Sequence, residues 1–200
     1  ALAEAKLLWS KGKISGALDA LQAALDKYPA HTDLLAVAGE YREKQQKIED
    51  LLRQAREQAE LGKFEEALSS AREAAAPNPA NPEPTLYIKA LNATRGQVDK
   101  ELQRVEALVR SRQLKEARAA LAPLHEAHPE YPPLVAAVNR VDEGWRAAEA
   151  EEKEARERLR DTVERKDFKA ALALAAELRR KRLTSTWDDT LGEWERQCRQ

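Results

Sequence analysis

One phrase returns along this chain at a fixed interval. It reads Gly12-Lys-Ile-x-x-Ala17-Leu, Gly62-Lys-Phe-x-x-Ala67-Leu, Arg112-Gln-Leu-x-x-Ala117-Arg and, after a slightly longer gap, Lys166-Asp-Phe-x-x-Ala171-Leu. Pro29, Pro79 and Pro129 keep the same 50-residue spacing downstream of the first three copies. A period of this length means one supersecondary unit stacked on copies of itself, so the architecture follows from a single unit. Such arrays present surfaces far more often than they carry out chemistry.

Each unit reads as a short helix and a long one. The spacing predicts short helices over 14–27, 64–76, 114–127 and 168–182. Small or apolar residues recur there at matching slots: Ala17, Ala67, Ala117 and Ala171, then Leu21, Ala71, Leu121 and Ala175, then Ala24, Ala74, Leu124 and Leu178. Steps of four and three place these on one helix face. Long helices are predicted over 33–61, 84–111 and 133–165. In the first, Leu34, Ala38, Tyr41, Gln45, Ile48, Leu52, Ala55 and Ala59 form an apolar seam interrupted only at Gln45. Ile88, Leu91, Val98, Leu102, Val105 and Val109 repeat it. Leu114 to Phe168 is 54 positions rather than 50. Four added residues are a stutter, which a heptad seam absorbs within a continuous helix.

The expected fold is therefore all-α: one helical-repeat array of alternating short and long helices over 1–200. Its units are 1–29, 30–79, 80–129 and 130–183, with a partial unit at 184–200. Each long helix can pack its first half on the preceding short helix and its second half on the following one. Either an α-solenoid or a rod of overlapping three-helix bundles would result. Residues 1–11 and 187–200 align with halves of long helices, and Met is absent, so a segment of a larger protein is expected.

Punctuation supports these boundaries. Eight of the nine prolines, all but Pro123, fall near short-to-long connections. Asn81 before Pro82 suits an N-cap and first helical position. Ser185-x-x-Asp188 resembles a capping box. Pro123 lies inside a short helix, where a kink or early end is expected. Gly96 and Gly144 fall inside long helices, at positions where a helix can bend.

Lys+Arg 34 against Asp+Glu 35 leaves a net charge of -1, which gives no general attraction to nucleic acid or anionic membrane. No apolar run is long enough to cross a bilayer, and no signal peptide opens the chain. The single cysteine, Cys198, excludes an internal disulfide. The compartment stays open, with the cytoplasm as the expectation.

The stretch 12–29 resembles the second half of a tetratricopeptide repeat. Gly12, Ile14, Ala17, Leu21, Ala24, Leu25 and Pro29 fall where that family places its turn glycine, anchor, small contact residue, apolar residues and final proline. Gly62, Phe64, Ala67, Ala71, Ala74 and Pro79 match comparably. The third copy keeps Leu114, Ala117, Leu121, Leu124 and Pro129 but has Arg112 for glycine. The fourth keeps Phe168, Ala171, Ala175 and Leu178 and loses both glycine and proline. The family's aromatic-leucine-glycine signature is missing from the other helix, and the period is longer than the family's. Its carboxylate clamp is absent too, since the matching positions hold Leu52, Arg56, Leu102 and Glu106. The resemblance implies protein or peptide ligands.

Motifs for catalysis are lacking: there is no phosphate-binding glycine loop, HExxH, CxxC pair or nucleophile elbow. No catalytic residue, cofactor or metal is assigned. His125 and His128 lack a third ligand at sensible spacing and read as a solvated edge. His31 precedes a helix and needs no role. The run 179–182 reads as cations complementing a helix C-terminus, and 149–160 as a solvated face with i,i+4 pairs. Trp9 aligns with Ala59, Val109 and Val163, and Trp187, Leu191 and Trp194 with Leu34, Ala38 and Tyr41, so these tryptophans are expected in the core. Trp145 shares its slot with Gln45, Arg95 and Cys198. A tryptophan where other units are polar reads either as a partner's anchor or as packing around the stutter. Gln45, Arg95 and Trp145 are the candidate partner-binding residues. The expected function is a non-catalytic interaction scaffold for a protein or peptide, with no nucleic acid and no membrane insertion. The alternative is a spacer or dimerising rod between flanking domains, so a homodimer is also expected under that reading.

Overall fold

A computed structural model describes residues 1–181 together with Gly192 and Arg196, and the side chains of 1–178 with those two. Trp187, Leu191, Trp194, Cys198, the Ser185–Asp188 cap and the side chains of the 179–182 run lie outside the described residues.

Every element among the described residues is an α-helix: α1 (Leu2–Ser10), α2 (Ile14–Leu25), α3 (Thr32–Glu60), α4 (Phe64–Ala75), α5 (Pro82–Arg110), α6 (Leu114–Ala127), α7 (Pro132–Glu164) and α8 (Phe168–Lys181). Short and long helices alternate as the spacing requires. The bounds of α2 and α3 reappear 50 positions on in α4 and α5. α7 has 33 residues against 29 in both α3 and α5, so the four extra residues lie within one unbroken helix.

The turns into the short helices share one geometry. Gly12, Gly62, Arg112 and Lys166 have φ of 73°, 87°, 57° and 59°. Glycine adopts this left-handed region freely, whereas arginine and lysine adopt it at a cost. Each turn closes on the preceding helix through its own N–H: Gly12 to the Trp9 carbonyl at 2.9 Å, Gly62 to Ala59 at 3.0 Å, Arg112 to Val109 at 3.0 Å and Lys166 to Val163 at 2.9 Å. Losing glycine in two copies leaves the turn intact.

The chain divides into two compact units, Ala1–Gln97 and Val98–Gln200, with the boundary inside α5. In the first, Ala5 of α1, Ala17, Leu21, Ala24 and Leu25 of α2, and Leu34, Ala38 and Tyr41 of α3 make one buried cluster. The second half of α3 joins another, in which Ile48, Leu52 and α4's Ala74 meet Tyr87. One long helix thus lends its halves to successive cores. In the second unit α7 packs against α6 and α8, and Ala155, Leu159, Ala175 and Leu178 form a cluster across α7 and α8.

Three expectations need correction. The early end considered at Pro123 does not occur: α6 continues past it to Ala127 and is two residues longer than α2 or α4. Pro123 and Ala119 are both exposed, so the carbonyl that the ring deprives of a donor faces water. Trp9 is half-buried rather than core, as are Ala59, Val109 and Val163: the slot is the rim of the core in every copy. The stretch 149–160 is not wholly a solvated face. Glu152, Ala155 and Leu159 are buried on the seam, while Arg158–Glu154 and Arg160–Glu164 pair outside it.

Candidate functional site

Gln45, Arg95 and Trp145 sit on three successive long helices, each half-buried and each bonded to an acidic neighbour. On α3, Gln45 Nε2 donates to Glu49 Oε1 at 2.6 Å. On α5, Arg95 pairs with Glu65 of α4. On α7, Trp145 Nε1 donates to Glu149 Oε1 at 2.7 Å, and the Arg118 guanidinium of α6 lies 5.7 Å from its ring centroid. Arg118 also reaches Asp142 at 3.6 Å. A cation over an indole face is attracted by the ring's quadrupole, more strongly as water is excluded. Trp145 therefore bridges α7 and α6 and still shows part of its surface.

Gln45 lines a cleft of about 380 Å³ with Gly12, Lys13, Glu49, Asn81 and Glu83. Neither Arg95 nor Trp145 lines it. The three residues share a position in the 50-residue sequence period, not a pocket. His125 lines a different cleft, of about 170 Å³, with Arg118, Leu121, Val138 and Asp142. Among the described residues no group of three or more His, Cys, Asp and Glu side chains is placed to hold a metal. No described helix is long and apolar enough to cross a membrane.

Several side-chain contacts within the separate units escaped the sequence reading. Asn78 Nδ2 donates to the Trp9 carbonyl at 2.9 Å, reaching back 69 positions. Its Oδ1 accepts from Ala80 N at 3.1 Å, and Asn81 Oδ1 accepts from Glu83 N at 3.2 Å, the N-cap expected before Pro82. His31 does have a role, because its Nδ1 accepts from Leu34 N at 3.4 Å and caps α3. Tyr87 donates to the Ala55 carbonyl at 3.2 Å beneath Arg56, whose guanidinium lies 5.9 Å from the ring centroid. Burial raises the Tyr87 pKa above 10.0, with Arg56 opposing and Glu60 adding to the shift. Tyr41 stacks on Trp9 with centroids 4.0 Å apart, and burial, aided by Glu40 and opposed by Lys44, raises its pKa too. In the second unit Tyr131 donates to Asp99 at 2.6 Å.

No family model matches the chain, and neither does a curated protein or a solved structure.

Proposed function

We propose that this chain is a non-catalytic protein-interaction scaffold of tetratricopeptide-like helical repeats, taking a protein or peptide partner along its long helices. The observation that carries the reading is the 50-residue translation of α2 and α3 onto α4 and α5, with the same turn and the same closing bonds. Under such a translation the seam is held constant while a slot on its edge is free to vary. Gln45, Arg95 and Trp145 are that slot, and three different chemistries at equivalent positions are what a surface adapted to a ligand would carry.

Selection from a displayed peptide library tests this. The expected result is a saturable ligand whose binding is lost when Gln45, Arg95 and Trp145 are all changed to Ala, with helical circular dichroism preserved. Undiminished binding by that variant would remove these residues from the site.

A spacer is the second reading, favoured by α3 sharing its two halves between successive cores. A chain that holds its structure and selects no ligand would support it.

A further inference from the structure

Three connectors lead from a short helix into a long one, and all close with the same backbone bond. His31 N donates to Tyr28 O at 3.1 Å, Asn81 N to Asn78 O at 3.0 Å, and Tyr131 N to His128 O at 3.2 Å. The second connector receives the left-handed turn at Gly12. Asn78 binds the Trp9 carbonyl there, and Ala80 lies so close that a Cβ on Gly12 would stand 2.0 Å from its carbonyl oxygen. Asn78 is accordingly only 3% exposed, and Asn81 is buried. In the third connector Tyr131 is buried as well. The first connector stands open: Tyr28, in the slot of Asn78, is 64% exposed, and Pro29, Ala30 and His31 are exposed beside it.

The other half of this contact is also open once. Two residues past each left-handed turn come half-buried Ile14, buried Phe64, buried Leu114 and, alone among them, Phe168 at 42% exposure. Ile14 shows what reaches that slot, since it and Gly12 line the cleft that Asn81 and Glu83 also line. Around Phe168, the cations Arg165, Lys166 and Lys169 are exposed. Asp167 is turned to its own helix, accepting from Ala170 N at 3.0 Å.

We propose that the open connector, 28–33, of one copy of this chain docks on the open turn, 165–169, of a second copy, head to tail. The inference rests on the repeat reading, because it transfers the contact between Gly12 and 78–81 by the repeat period. The two surfaces are complementary. One carries exposed Tyr28 with exposed Asp26 and Asp33 before and after it in the chain and one cation, Lys27, and the other carries Arg165, Lys166 and Lys169 flanking Phe168 in the chain. Cations favour an exposed aromatic face, two rings favour offset contact, and opposite charges steer the encounter. Lys166 has a Cβ and cannot approach as closely as Gly12, and Tyr28, larger than Asn78, fills the gap. The turn at Arg112 is not equivalent, because Arg112 pairs with Glu151 at 3.2 Å and Leu114 is buried. Different patches meet in this interface, so it is heterologous, and copies add beyond a pair into a ring or a filament.

Sedimentation and light scattering of the full chain over rising concentration test the proposal. Mass is expected to climb past two chains, less steeply at high salt. Tyr28→Ala and Phe168→Ala alter exposed side chains, so helical content should persist while each alone weakens association about tenfold, the size of one aromatic anchor. An equal mixture of the two variants should associate and stop at pairs, since each brings one intact patch. A single-chain mass throughout would overturn the proposal. So would a limiting mass of two that neither substitution changes, or a mixture no better than its components. Gln45, Arg95 and Trp145 lie outside this contact, so the scaffold reading fails separately: a chain that self-associates yet selects no peptide refutes only the scaffold.

Discussion

Replacing Gly12 by Ala should destabilise the chain by more than its turn geometry alone predicts. Left-handed backbone costs a side-chain-bearing residue about 1–2 kcal/mol, and Arg112 and Lys166 show that this cost is tolerated. Steric contact adds the greater part. The new methyl would stand 2.0 Å from Ala80 O, 2.5 Å from Ala80 C and 2.9 Å from Asn81 N. All three are backbone atoms, so no rotamer change can yield. Ordinary separation is about 3.5–4.0 Å, and a connector that withdraws that far gives up the 2.9 Å bond from Asn78 to Trp9 O. Stranding a buried amide and carbonyl costs about 1–3 kcal/mol. The expected total is about 2–5 kcal/mol, read as a lower urea midpoint at unchanged slope. A double-mutant cycle with Asn78→Ala isolates the mechanism, because Gly12→Ala should cost less once the bond is gone. Lys166→Gly is the converse control and should stabilise by up to about 1 kcal/mol. A Gly12→Ala loss no greater than the turn strain, or a strictly additive cycle, would refute the close approach.

Three further outcomes are expected. Gly96 lies inside α5 with nothing within 4 Å of an added Cβ, so Gly96→Ala should raise stability by about 1 kcal/mol, visible as a higher melting temperature. Glu152 is 7% exposed on a seam whose equivalent slots hold Leu52 and Leu102, so Glu152→Leu should be neutral or stabilise by about 1–4 kcal/mol, and a clear loss would show that its pairing with Arg156 contributes net stability. The raised pKa of Tyr87 means that the unfolded chain releases this proton first, so its contribution is whole below pH 10.0 and is lost as pH rises beyond it. Denaturant unfolding across alkaline pH should therefore show a shallower decline for Tyr87→Phe than for the parent chain.

Helix positions were legible because they follow from local chemistry repeated at a known interval. The phrase beginning at Gly12 marks each turn, and steps of three and four mark each buried face, so Leu52 and Phe64 are deeply buried as their register requires. Pro123 misled because the cost of proline depends on whether the deprived carbonyl is wet, which is a tertiary fact. Glu152 misled in the opposite sense: mixed charge suggested solvent, but a helix extended by one turn carries its seam through whatever residues occupy it. The bond from Asn78 to Trp9 was invisible for another reason, since it joins residues 69 apart that no local pattern pairs. Its one trace is the glycine at 12, which reads as a turn residue whether or not a neighbour presses against it. For the candidate site, the shared slot of Gln45, Arg95 and Trp145 was readable by alignment alone. Their partners Glu65 and Arg118 were not, because they lie on other helices.

The extra turn of α7 has an angular consequence. Four residues advance a helix by about 6 Å and about 400°, leaving a net rotation of about 40°. The chain therefore leaves α7 for α8 in a direction swung by that amount from the direction in which it leaves α3 for α4, each measured about its own long helix. About the axis of α7 itself, α8 therefore begins about 40° further round than it would after a helix of 29 residues. The insertion thus works as an indexing step on α7, resetting where its own short neighbour begins while the seam runs on through Ala155 and Leu159.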